Sequence, residues 1–223
     1  MSSMVITLAG QKGGSGKTTT AICIATEWHR RGRRVLLVDA DPQGSTRTWG
    51  EVAAEANQPT PTIVAMGASM HRPEQLPALA QGYELTVIDC PPRHGDIQRA
   101  ALMVADLVVI PCGPSGVDAW ALGATLEIIS EAKTLRPDLR AVVLITRKIA
   151  RTSLGANARD ALAQSGLSIL RTELGHRITY QEAPAAGQGV TAYAPGSAAA
   201  VEVQGLADEL EMLLKEDATR AVA

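Results

Sequence analysis

Phenylalanine is absent from this 223-residue chain, and aromatic residues together make up 3% of it. Stacking of bases on aromatic platforms is therefore excluded as a main binding mode, and any nucleic-acid contact has to come from charge. Cysteine is scarce too: Cys23, Cys90 and Cys112 each lie in or beside an apolar run, with no C-x-x-C spacing. That argues against a disulfide framework or a thiolate metal centre and predicts reduced core thiols. His29, His71, His94 and His176 also lack ligand spacing and read as surface or loop residues. No run of about 18 apolar residues occurs, so no bilayer span is predicted. The first strand pattern starts at Met4, with no basic-then-apolar leader before it. These absences predict a cytoplasmic protein.

What the chain has is 46% hydrophobic residues, enough for one α/β domain over 1–223. Short β-branched runs at 4–8, 34–39, 85–89, 107–111 and 141–146 read as strands apolar on both faces, as a covered parallel sheet requires. Helical spacing is predicted over 18–31, 45–56, 73–81, 96–104, 117–135, 153–165 and 197–215, and the stretch 183–196 reads as a long loop. Right-handed crossovers then give a doubly wound, mostly parallel sheet flanked by helices.

Between the first strand and first helix stands Gly10-Gln11-Lys12-Gly13-Gly14-Ser15-Gly16-Lys17-Thr18-Thr19. Glycines let successive backbone N–H groups turn toward one phosphate cluster, and the helix that follows directs its positive end at the same anion. Gly13, Gly14, Ser15, Gly16, Lys17, Thr18 and Thr19 are the candidate nucleotide-binding residues. Lys17 is expected to reach the β- and γ-phosphates, and the Thr18 hydroxyl to ligate Mg²⁺. The strict pattern G-x-x-x-x-G-K-[ST] fails, because Gln11 stands where its first glycine belongs. The form present is K-G-G-x-G-K-T, with a second lysine, Lys12.

Ligands of such sheets sit at the carboxyl ends of the strands. Two segments place acids there: Val38-Asp39-Ala40-Asp41-Pro42-Gln43 and Ile88-Asp89-Cys90-Pro91-Pro92. A carboxylate after four apolar residues is costly to bury without a cation or donors. Asp89 is expected to hold the metal's water shell, Asp39 to support the metal side, and Asp41 to orient the attacking water.

The order and spacing of the lysine-bearing loop, Val38-Asp39-Ala40-Asp41-Pro42-Gln43-Gly44 and Ile88-Asp89-Cys90-Pro91-Pro92 resemble the ParA/MinD group of deviant-Walker ATPases. Ala105 to Pro111, Leu144 to Ile149 and Tyr193 to Ser197 make it similar to the small ParA partition proteins. The phosphate loop begins at residue 10, so the N-terminal DNA-reading extension of the large ones is not expected. The resemblance implies an ATP- and Mg²⁺-dependent homodimer in which Lys12 crosses to the partner's phosphates, as a cation supplied in trans. It implies Thr146 and Arg147 near the adenine. It also implies a weak, partner-stimulated ATPase, with Lys12, Lys17 and Asp41 catalytic. The dimer would bind DNA non-specifically on the nucleoid and be released by a centromere-binding ParB-like adaptor, segregating plasmid or chromosome DNA.

Charge distribution points the same way. Net charge is −2, yet residues 133–177 hold nine basic residues against three acidic ones. A basic segment in an acidic chain is the footprint of a phosphate-backbone surface, with Lys148, Arg151, Arg159 and Arg177 as candidate DNA contacts. Three alternatives remain. Positioning of a protein cargo, such as a chemoreceptor cluster or carboxysome, would use the same machinery. A MinD-like membrane regulator needs a basic amphipathic C-terminal helix, whereas Leu206 to Asp217 is acidic, so its leucine stripe is expected to pack on the sheet. A small-molecule ligase on this scaffold would show ATPase stimulation by its carboxylated substrate.

Overall fold

The computed structural model describes residues 3–220. Strands β1 (Met4–Leu8), β2 (Val35–Asp39), β3 (Thr62–Ala65), β4 (Leu85–Asp89), β5 (Leu107–Cys112), β6 (Arg140–Ile145) and β7 (Ser168–Ile169) form one parallel sheet in the order β3-β2-β4-β1-β5-β6-β7. Helices α1 (Lys17–Arg30), α2 (Ser45–Glu55), α3 (Leu76–Ala80), α4 (Gly95–Val104), α5 (Gly116–Leu135), α6 (Ser153–Ala163), α7 (Thr179–Ala185), α8 (Val190–Tyr193) and α9 (Ala198–Arg220) cover it.

The two-residue period of the strands sorts the core. Ile6, Leu8, Leu37, Val87, Val109 and Leu144 face a cluster completed by α1, the tail of α2 and α9. Alternate residues face the other side: Val108, Ile110 and Val143 pack with α5 and α6, while Val5, Leu36 and Ile88 pack with α3 and α4. In α9, Leu206, Leu210 and Leu214 are buried in the first cluster, with Leu213 packed against it, as the acidic leucine stripe predicted.

Four elements escaped the sequence pattern. Strands β3 and β7 lie at the sheet edges, are four and two residues long, and are only partly buried, so they carry no continuous apolar run. The stretch 183–196 is not a plain loop: it holds the end of α7 and all of α8. Both are too short to form by propensity, and Ala183 and Val190 hold them by burying in the α1 cluster. The predicted helix over 73–81 contracts to α3, five residues long.

Candidate nucleotide site

The loop between β1 and α1 takes its shape from two left-handed glycines, Gly14 (φ 68°) and Gly16 (φ 99°), a region costly for side-chain-bearing residues. Gly16 is the N-cap of α1 and supplies no side-chain cap, so the amino end of the helix faces the loop with donors unclaimed by a capping side chain. Lys17 opens the helix, is buried, and its Nζ donates to the Lys12 carbonyl oxygen at 3.0 Å. Burial lowers the Lys17 pKa, against the field of Asp89.

Asp39 and Asp89 are register partners at the ends of β2 and β4, and both are buried. Burial pushes Asp89 up to about 6, opposed by hydrogen bonds from the Thr18 and Thr46 hydroxyls. Its Oδ2 accepts from Thr46 Oγ1 at 2.9 Å. Asp39 is engaged twice: Oδ1 accepts from Asp41 N at 3.1 Å and Oδ2 from Arg47 N at 2.9 Å, with Arg47 Nε at 3.5 Å. The carboxylate therefore caps α2 and shapes the turn carrying Asp41, whose Oδ1 accepts from Gln43 N at 2.9 Å.

Ser15 Oγ, Thr20 Oγ1 and Asp89 Oδ1 are buried without a partner among the described residues. Orphaned hydroxyls beside a glycine cradle, with a bare carboxylate oxygen behind them, fit a group that brings phosphate oxygens and a hydrated cation. Gly13 and Gly14 leave open space where a Cβ would project.

The Lys12 ammonium is engaged elsewhere. Its Nζ pairs with Asp118 Oδ1 at 2.7 Å, and its side chain is 34% exposed. Asp118 is the third residue of α5 and closes a capping box with Ser115. The same Oδ1 accepts from Arg147 Nη2 at 3.2 Å, and the hydrogen bonds from Lys12 and Ser115 outweigh burial and hold the Asp118 carboxyl below its usual range.

Beside the loop opens a cleft of about 220 Å³. Gly14, Gly16, Thr19 and Thr20 form one wall; Thr146, Arg147, Leu174 to Arg177, Tyr180 and Gln181 form the other. Thr146 Oγ1 donates to the Ser15 carbonyl oxygen at 2.8 Å, so the two walls are tied. Thr146 and Arg147 are thus brought to the loop, Arg147 with a left-handed φ of 55°. Sequence reasoning missed Thr20, Thr46 and Asp118, and in the segment 174–181 it gave a role only to Arg177, as a DNA contact. Only Asp118 had a local signal, the S-x-x-D spacing before a helical run.

The four candidate DNA contacts differ in setting. Lys148 pairs with Glu173, which also holds Arg159 Nη2 at 3.0 Å, and Arg177 Nη2 lies 2.5 Å from Glu202 Oε1. Arg151 is exposed, in a left-handed turn (φ 60°), with no ion pair among the described residues. Cys23, Cys90 and Cys112 are free, buried thiols; burial pushes Cys23 up to about 12 and Cys112 up to about 11.

A parallel sheet with a glycine cradle before its first helix, two strand-end carboxylates and an adjoining cleft defines a P-loop nucleotide-binding protein of the two-lysine type. Residues 6–190 match the CobQ/CobB/MinD/ParA nucleotide binding domain, and the chain belongs to that family. It is 31% identical to the maintenance of carboxysome distribution protein A of Halothiobacillus neapolitanus, over 95% of this chain and 94% of that one. It is also 31% identical to the chromosome-partitioning ATPase Soj of Thermus thermophilus, over 95% and 96%. The Cyanothece McdA–ATP complex superposes with a TM-score of 0.76 at 19% identity, covering 94% of this chain and 96% of that one. No helix among the described residues is long and apolar enough to cross a membrane.

Proposed function

We propose that this chain is a ParA-type ATPase that converts ATP binding into homodimer assembly and uses the cycle to position a cargo along DNA. The observation that carries the reading is the placement of the two lysines. Lys17 is buried at the cradle, while Lys12 projects from the same loop, part-exposed, onto Asp118. One cation serves its own pocket, and the other, held part-exposed by Asp118, serves a second copy's once that pair is exchanged.

In this reading Gly13, Gly14, Ser15, Gly16 and Thr19 hold the phosphates through backbone and hydroxyl donors, and Lys17 neutralises the β- and γ-oxygens. Thr18 Oγ1 and, through water, Asp89 would hold Mg²⁺, with Asp39 supporting that side, and the ion would supply neutralisation of phosphate charge. Asp39 also acts by shaping the 39–47 turn, which aims Asp41 at the attacking water. Thr146 and Arg147 meet the adenine end. Hydrolysis is slow in the monomer because Lys12 of the twin completes the charge balance.

Lys12→Ala is expected to bind ATP and Mg²⁺ with near-normal affinity, yet to stay monomeric in light scattering and lose hydrolysis by about 10³-fold. Dimers of that variant with unchanged turnover would refute the reading. DNA enters through sequence-independent contacts led by Arg151, the exposed member without an ion pair among the four candidates that include Lys148, Arg159 and Arg177, and release follows hydrolysis stimulated by a ParB-like adaptor. The full-length likeness to a carboxysome distribution protein, equal in identity to that with Soj, supports a protein assembly as cargo beside plasmid or chromosome DNA. Pull-down of the adaptor and identification of what it binds separate the two.

A further inference from the structure

The far wall of the cleft is a strap, residues 174–181, fixed from both sides. On the sheet side it continues β6 by a parallel bridge at Lys148 and Gly175: Lys148 N donates to the Leu174 carbonyl at 3.1 Å and His176 N to the Lys148 carbonyl at 2.8 Å. On the helix side one carboxylate does the holding. Glu202 of α9 accepts from Gly175 N at 3.0 Å and Tyr180 Oη at 2.8 Å on Oε2, and from Arg177 Nε at 2.9 Å and Nη2 at 2.5 Å on Oε1. All three donor residues line the cleft.

We propose that Glu202 is a positioning residue for nucleoside recognition: it sets the wall that meets base and sugar while touching nothing that grips phosphate. The proposal rests on the reading above, in which the cleft receives the nucleoside end of ATP. Its physical basis is convergence. Four donated hydrogen bonds, two from a guanidinium, saturate one mostly buried carboxylate, so the spacing of Gly175, Arg177 and Tyr180 follows from a single side chain. Tyr180 is buried beside it, and burial together with the carboxylate raises its pKa, so the hydroxyl remains a donor. Affinity for the nucleoside part of the ligand thereby depends on the docking of the C-terminal helix.

The same helix supplies a control. Glu209, seven residues on, holds Arg171 N at 2.7 Å and Thr172 N at 2.9 Å by the same device, and neither residue lines the cleft. Calorimetric binding of Mg·ATP and of Mg·tripolyphosphate, which has no nucleoside, separates wall from cradle. Glu202→Gln is expected to weaken ATP about tenfold and leave tripolyphosphate unchanged, whereas Glu209→Gln lowers the melting temperature and keeps the wild-type ratio of the two affinities. Tyr180→Phe, which keeps the ring and removes one bond to Glu202, is expected to shift the ratio the same way by about two- to threefold, even if Glu202→Gln does not fold. A wild-type ratio in Glu202→Gln, or in Tyr180→Phe where the first variant is unfolded, would overturn the proposal alone. Wild-type protein that binds ATP no more tightly than tripolyphosphate would overturn the nucleoside cleft itself.

Discussion

Glu27 shows how one residue ties ionisation to folding. It lies on α1 with no exposure, and accepts from Arg30 Nε and Nη2 at 2.9 Å and from Arg31 Nε at 2.7 Å. Burial acts to raise its pKa, and the hydrogen bonds from Arg30, Arg31 and Thr191 outweigh it, so the folded value lies below the ordinary one. A depressed carboxyl stabilises the fold above its unfolded pKa of about 4.3, and that stability is lost as pH falls through the folded value. Glu27→Gln is expected to cost roughly 3 kcal/mol at pH 7 in denaturant melts. The gap to wild type should shrink as pH falls below about 4, and a gap that does not narrow on acidification contradicts the assignment. Nothing in the sequence marks Glu27, since an acid four residues before an arginine on a helix normally reads as an exposed pair. The loop lysines and strand-end aspartates were legible because their meaning lies in immediate neighbours: glycines beside Lys17, four apolar residues before Asp89.

Among the elements, α5 ties its own start to the phosphate loop. Its capping acid, Asp118, is also the ion-pair partner of Lys12, so the helix start and that lysine share one carboxylate. Asp118→Asn keeps the side-chain shape at the cap but removes the charge. It is expected to release Lys12 and lower the ATP concentration needed for dimerisation about two- to fivefold in light scattering, the scale of a part-exposed ion pair. The weakened cap should cost about 1 kcal/mol of stability. A higher ATP requirement would mean that Asp118 supports the dimer instead. Helices with long apolar periods, α1 and α9, could be read in advance. The pieces α7 and α8 could not, because packing of Tyr180, Ala183 and Val190 makes them, and the edge strands β3 and β7 lack the run that marks buried neighbours.

Across the whole molecule, the basic segment 133–177 is less available than its composition implies. Glu173 and Glu202 occupy Lys148, Arg159 and Arg177, leaving Arg151 as the exposed member without an ion pair among the four candidates. Arg151→Glu is expected to weaken DNA binding of the ATP-loaded protein about tenfold at low salt and to flatten the dependence of log affinity on log salt, by about 0.9 for each phosphate no longer neutralised. Unchanged affinity and slope would move the DNA face elsewhere. Reversals at Lys148 or Arg177 are poorer probes, since they also free Glu173 beside β6 and Glu202 at the cleft.

By itself the sequence determined the cradle, the two lysines, the strand-end acids and the parallel sheet, because each depends on spacing within about ten residues. The far wall of the cleft, the Lys12–Asp118 pair across 106 positions and the grip of Glu202 on residues more than twenty positions earlier were decided by the tertiary structure. Such contacts exist only after α5, β6 and α9 have docked beside the loop, and a one-dimensional pattern carries no record of which distant carboxylate will meet which donor.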